Sequence, residues 1–179
     1  MSVLVGAINK LQKRLNPCRY WRKLGAKIGE GCEIYTSAYL MEPFLIEIGN
    51  HVRINEGVTF VTHDGGAWVL RGLQKTERDK DIDIFGMIKV GNNVHIATNV
   101  IIMPGVTIGN NVVIGCGAIV THDIPDNSIA VGVPARVIES VDEYYEKNHH
   151  KFVYTKQMSK QEKKQYLVEY FEKQKNGRE

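Results

Sequence analysis

Residues 90–125 read VGNNVHIATNVIIMPGVTIGNNVVIGCGAIVTHDIP, and in this stretch Val90, Ile96, Ile102, Ile108, Ile114 and Val120 recur at every sixth position. Upstream, Ile48, Ile54 and Phe60 keep the same phase, while Ile28, Ile34 and Leu40 repeat by six in a shifted one. A second apolar or small column follows four residues later, at Val52, Val58, Val94, Val100, Val106, Val112, Ala118 and Ile124. An α-helix turns about 100° per residue, so a six-residue step would spread these side chains around its whole surface. A strand has period two, which divides six, so both columns point to one face. Three residues after the lead positions stand Gly31, Gly57, Asn93, Asn99, Gly105, Asn111, Gly117 and Asp123, the residue types that best tolerate positive φ. His51 breaks this turn column, as do Ser37 and Pro43 in the early units.

Identical short strands bury little alone but make a continuous core when coiled and stacked in register. The spacing therefore predicts a mainly β fold, a parallel β-helix. An antiparallel sandwich would instead show turns about every 8 to 12 residues with varied loops. Spacing does not set the hand, and the rule for parallel crossovers predicts a right-handed path.

The stretches IGNHVRINEGV, residues 90–125 and AVGVPARVI resemble the hexapeptide-repeat acyltransferases, above all the sugar O-acetyltransferases of the galactoside, maltose and capsular-polysaccharide type. The resemblance covers residues 25–138. It implies a left-handed β-helix prism, a homotrimer with active sites between neighbouring subunits, acetyl-coenzyme A as acyl donor, a sugar or polysaccharide precursor as acceptor, and no metal. The chain then divides into an N-terminal helical segment (1–24), the β-helix acyltransferase domain (25–138) with a long excursion at 61–89, and a C-terminal helical extension (139–179).

Composition sets the outer limits. The chain has 179 residues, 43% hydrophobic and 24% charged, too apolar for a disordered polymer and large enough for its own core. No run of about 18 apolar residues is present, and Met1 to Leu15 is interrupted by polar side chains, which points to a cytoplasmic protein. Cys18, Cys32 and Cys116 form no C-x-x-C pair, so reduced thiols are expected rather than a disulfide frame or a thiolate zinc site. Residues 1–27 hold seven Lys/Arg and no acid. Such a basic edge reads as a solvated helix face, or as attraction to an anionic substrate or membrane surface; membrane contact is not expected, and nucleic acid is disfavoured because no binding motif accompanies the charge.

Flanking the repeat, Leu4, Ile8, Leu11 and Leu15 follow helical spacing ahead of Pro17 and predict an amphipathic helix packed on the prism base. Ser140 with Glu143, and Ser159 with Glu162, are capping-box patterns that predict two C-terminal helices, the second with Leu167, Tyr170 and Phe171 on one side.

Acyl transfer to an alcohol needs a base for the hydroxyl proton, and imidazole suits that task. His63 lies where the regular coil gives way to the excursion, followed by Asp64, Gly65 and Gly66. The resemblance places the catalytic base at this histidine, with Asp64 as a candidate to orient the ring or contact the acceptor. The long excursion, which mixes Trp68 with charges, reads as shaping the acceptor pocket; Asn55 and His95 are further substrate-binding candidates, His95 standing where related sequences carry an aromatic residue beside the acyl-donor channel. For the donor the resemblance implies Thr98, Cys116, Thr121, His122 and Arg136, with backbone groups near Thr98 and Cys116 along the pantetheine arm and Arg136 on a phosphate. A lysine is common where His122 stands, so that contact differs here. Cys116 between two glycines has no assignable base that would make it a nucleophile, and neither a G-x-S-x-G elbow nor a P-loop occurs. Competing readings are N-acetylation of an amino sugar or antibiotic, a zinc carbonic anhydrase of the same fold, whose H-x-x-x-x-H pair is absent, and a non-catalytic trimeric subunit.

Overall fold

The structure, a computed structural model, describes residues 10–35 and 38–176. Short strands alternate with tight corners and stack into three sheets. The first contains β1 (Lys27–Ile28), β4 (Ile46–Ile48), β7 (Ile88–Val90) and β10 (Thr107–Ile108). The second contains β2 (Glu33–Ile34), β5 (Val52–Ile54), β8 (Val94–Ile96), β11 (Val112–Ile114), β13 (Ser128–Val131) and the closing β14 (Arg136–Ser140). The third contains β3 (Tyr39–Leu40), β6 (Thr59–Phe60), β9 (Ile101–Ile102) and β12 (Ile119–Val120). All pairings are parallel except β13 with β14, which is antiparallel.

Register turns the sequence columns into the core. Leu40, Phe60, Ile102 and Val120 stack on one another in the third sheet, and Ile34, Ile54, Ile96 and Ile114 in the second. Both apolar columns are buried along the prism, each large side chain contributing roughly 1.5–3 kcal/mol of transfer free energy.

The corners carry the turn column. Asn93, Asn99 and Asn111 adopt positive φ, as do the glycines of that column, whereas Asp123 does not. His51 does not break it after all: its φ is 54°, and its Nδ1 lies 2.8 Å from Asn93 Oδ1. Histidine is among the residues enriched in the left-handed region, and this side chain starts a ladder that continues from Asn93 to Asn111 and Asn127.

One corner is longer. Leu40 and Ile48 are eight residues apart (48 − 40) where six is the rule, and a 3₁₀ turn at Pro43–Leu45 takes up the excess. This is why the first coil is out of phase with the rest.

The excursion after β6 is an ordered element. An antiparallel bridge between His63 and Phe85 closes its base, joined by Gly86 N–H donating to Thr62 O (2.8 Å) and Asp64 N–H to Ile84 O (2.8 Å). Beyond that stem lie α3 (Ala67–Leu73) and a 3₁₀ turn at Glu77–Asp81.

Ahead of the prism, α1 runs through residues 10–15 and α2 covers Pro17–Lys23, capped by Asn16, whose Oδ1 accepts from Arg19 N–H (2.9 Å). Leu4 and Ile8 lie outside the described residues. Leu11 and Leu15 are exposed, so these two described members of the stripe are not packed on the prism base; buried Trp21 of α2 joins the core.

The chain forms two compact units, Met1–Tyr144 and Tyr145–Glu179. Both capping boxes form, at Ser140/Glu143 ahead of α4 (Val141–Asn148) and at Ser159/Glu162 ahead of α5 (Lys160–Asn176). On α5, Tyr170 stacks with Tyr166 and meets Phe171 edge-on. Among the described residues no helix is long and apolar enough to cross a membrane.

Candidate active site

The third sheet aligns Leu40 with Phe60, so two residues further on Glu42 and Thr62 come together at the long corner. Glu42 N–H donates to Thr62 Oγ1 (3.1 Å), and the Thr62 hydroxyl donates in return to Glu42 Oε2. Thr62 is fully buried, so this exchange satisfies a hydroxyl cut off from water. His63 Nδ1 lies 3.1 and 3.2 Å from the two carboxylate oxygens of Glu42. The Thr62 hydroxyl bond, and secondarily His63, hold the Glu42 carboxyl below the usual glutamate range. An ionised carboxylate only accepts hydrogen bonds, so Nδ1 is the donor in this pair, and whenever the ring is neutral the lone pair is on Nε2. The excursion stem fixes the His63 backbone, and Phe85 packs edge-on against the ring at 6.1 Å between centroids.

This dyad opens onto a cleft of about 400 Å³ lined also by Tyr20, Trp21, Leu24 and Tyr39. The His63 side chain is 39% exposed there. Trp21 is buried, and among the described residues its Nε1–H has no acceptor, a state that costs roughly 1–3 kcal/mol.

The structure sorts the remaining sequence candidates among several places. Asp64 Oδ1 accepts from Gly66 N–H (2.8 Å), forming a turn at the start of the excursion, so the carboxylate on the His63 ring is that of Glu42. Trp68 stands exposed on α3. His95 lies on the second sheet, in register with Arg53 and Val113, and burial, with the Arg53 charge second, pushes its pKa down. Asn55 follows β5, and its buried Oδ1 has no partner among the described residues. Neither His95 nor Asn55 lines the His63 cleft within one chain.

The donor-side candidates fall into two pairs. Thr98 and Cys116 sit at equivalent corners of successive coils, where Gly117 N–H donates to Thr98 O (2.9 Å). His122 and Arg136 line one cleft of about 270 Å³, with Thr121 Oγ1 2.8 Å from His122 Nδ1. Thr121 and His122 follow β12 as Val61 and Thr62 follow β6. They therefore share an edge of the prism with His63, two strand spacings away, or roughly 10 Å.

Glu42, Thr62, Tyr20, Trp21 and Tyr39 were not singled out from sequence. The signal for Glu42 was available, because the six-residue phase breaks between Leu40 and Ile48, and the longer corner carries the carboxylate out to the ring. Among the described residues no group of three or more His, Cys, Asp or Glu side chains could hold a metal ion.

The family described as bacterial transferase hexapeptide (six repeats) matches residues 87–122. Protein CapG of Staphylococcus aureus is 46% identical over 165 residues, covering 90% of this chain and 93% of that protein. Galactoside O-acetyltransferase of Escherichia coli strain K12 is 39% identical over 131 residues, covering 70% of this chain and 62% of that protein. Among solved structures, a maltose O-acetyltransferase from Clostridium difficile 630 superposes with a TM-score of 0.57 at 27% identity, over 75% of this chain and 83% of that one. A galactoside acetyltransferase in complex with coenzyme A gives 0.57 at 29%, over 80% and 82%. The chain belongs to the hexapeptide-repeat family of acetyltransferases. Its fold is the left-handed parallel β-helix. The right-handed expectation is not met because that rule rests on a twisted strand feeding a helix that packs back on the sheet; here neighbouring strands of one sheet are joined through short strands of the other two.

Proposed function

We propose that this protein transfers an acetyl group from acetyl-coenzyme A to a hydroxyl of a sugar or polysaccharide precursor, with His63 as general base. The observation that carries the reading is the Glu42–His63 pair, which in the neutral ring puts the lone pair on Nε2 of a histidine that lines an aromatic cleft. The capsular relative and the galactoside and maltose O-acetyltransferases support the choice of acceptor class.

Bound acetyl-coenzyme A supplies an acyl group activated as a thioester. Its cradle in this reading is the Thr98–Cys116 corner pair and the His122–Arg136 cleft, where the Arg136 guanidinium is a charge-assisted donor to phosphate. His63 Nε2 takes the acceptor hydroxyl proton as that oxygen bonds to the acyl carbon and the carbon–sulfur bond breaks. The imidazolium so formed returns the proton to the departing thiolate, so the ring ends neutral. Glu42 stabilises the imidazolium in between and keeps Nε2 turned outward, the role a carboxylate plays in a Ser-His-Asp triad. Asn55, Trp68 and His95 contribute from a neighbouring copy in a homotrimer, which explains why one chain leaves them outside the His63 cleft.

The test is thiol release from acetyl-coenzyme A with a panel of saccharide acceptors and product analysis to locate the acetyl group. His63→Ala removes the general-base contribution, about 10²–10⁴-fold in kcat, with little change in the KM for acetyl-coenzyme A. A folded His63→Ala protein within threefold of wild type would overturn the assignment, and an acetylated amine as the only product would replace O-transfer by N-transfer.

A further inference from the structure

From the groove beside the His63 cleft we infer that the acceptor carries a diphosphate, held by Arg19 and Lys23 while its sugar reaches His63. The inference rests on the acetyl-transfer reading of that cleft. Tyr20 lines both the His63 cleft and a groove of about 480 Å³ whose other walls are Gln12, Leu15, Asn16, Arg19 and Lys23. Arg19 and Lys23 are four residues apart on α2 and so emerge on one helix face. The third cation of that helix is already engaged: Arg22 donates to Ile28 O, Gly29 O and Glu30 Oε1. Among the described residues Arg19 and Lys23 form no ion pair, and residues 1–27 contain no acid that could neutralise them.

The two cavities differ in chemistry in the way a glycosyl diphosphate does. On the His63 side, Tyr20 and Tyr39 offer aromatic surface for a sugar ring. On the other side, a planar guanidinium fork beside a compact ammonium suits the clustered oxygens of a diphosphate. A neutral free sugar would leave Arg19 and Lys23 unused. The reaction that supplies this acceptor is accordingly one that installs a glycosyl diphosphate, whether on a nucleoside or on a lipid.

Calorimetry with inorganic diphosphate, on the full chain saturated with coenzyme A so that the donor's own phosphate contacts are filled, tests the assignment. Wild type should bind it, and Arg19→Gln with Lys23→Gln should weaken binding by about tenfold or more, while Arg19→Lys keeps most of it. Displacement by uridine diphosphate or by farnesyl diphosphate then tells a nucleotide source from a lipid one, and either is supporting. No binding, or binding indifferent to the double substitution, overturns the inference. His63→Ala should lose turnover yet keep diphosphate affinity, so a failure of the base assignment and a failure of this one give different results.

Discussion

His63 depends on a residue twenty-one positions away, Glu42. In water an imidazole samples both tautomers; a carboxylate fixed on Nδ1 selects the one that presents Nε2 as base and stabilises the charge that proton transfer creates. Glu42→Gln keeps a hydrogen-bonding side chain but removes the charge, so kcat should fall by roughly 10- to 10⁴-fold with the acetyl-coenzyme A KM unchanged. A parallel rise in KM would instead mean that the corner had collapsed. The carboxyl also ties stability to pH. Its folded pKa lies below the usual value because Thr62 and His63 favour the ionised form. Its contribution is therefore complete above the unfolded glutamate pKa of about 4.3 and is lost as pH falls through the lower folded value. Thermal melts of wild type and Glu42→Gln from pH 7 to pH 3 should accordingly converge at the acid end; a gap that widened on acidification would contradict the assigned pairing.

Among the elements, the excursion is what gives the regular coil its candidate site. Its return passes so close to the next corner that a Cβ at Gly86 would collide with the Gly105 and Pro104 backbone. Gly86 N–H also closes the stem by donating to Thr62 O, one residue from His63 and on the residue that holds Glu42. Gly86→Ala must push the stem off the prism, a cost of about 1–3 kcal/mol by the measure of overpacked sites. Both the melting temperature and kcat should drop, and an alanine variant with unchanged kcat would show that the stem does not set the position of the dyad. The corner asparagines illustrate the complementary case. Asn93 and Asn111 take a conformation most residues avoid and connect through side-chain amides from coil to coil, so the same residue type satisfies the backbone and pins the register.

For the whole molecule, the separation of His63 from Asn55 and His95 has an assembly consequence. If the site is completed between copies, dilution should remove activity together with the oligomer. Light scattering at micromolar concentration should give three times the chain mass, and mixing His63→Ala with His95→Ala subunits should restore some sites in mixed trimers. A monomeric mass with full activity would place the whole site within one chain.

Much of this was legible in the sequence because a six-residue period couples local structure to global packing: strand parity, buried face and turn position all follow from one spacing. Val90 to Val120 could hardly be read otherwise, and even the capping boxes at Ser140 and Ser159 are local patterns that formed as written. His63 was visible because it stands where the period stops. What sequence did not supply is contact between coils. Glu42 meets His63 only because β3 stacks on β6 and a two-residue surplus swings the corner outward. Asp64, the carboxylate next to His63 in sequence, is drawn away by its own bond to Gly66 N–H. Tyr20 and Trp21 reach the same cleft from a helix far outside the repeat. Periodicity determines which residues are buried and where the chain turns, since those are properties of one strand and its neighbours. Which polar side chains converge depends on how separate turns stack in three dimensions, and that was decided by the tertiary structure alone.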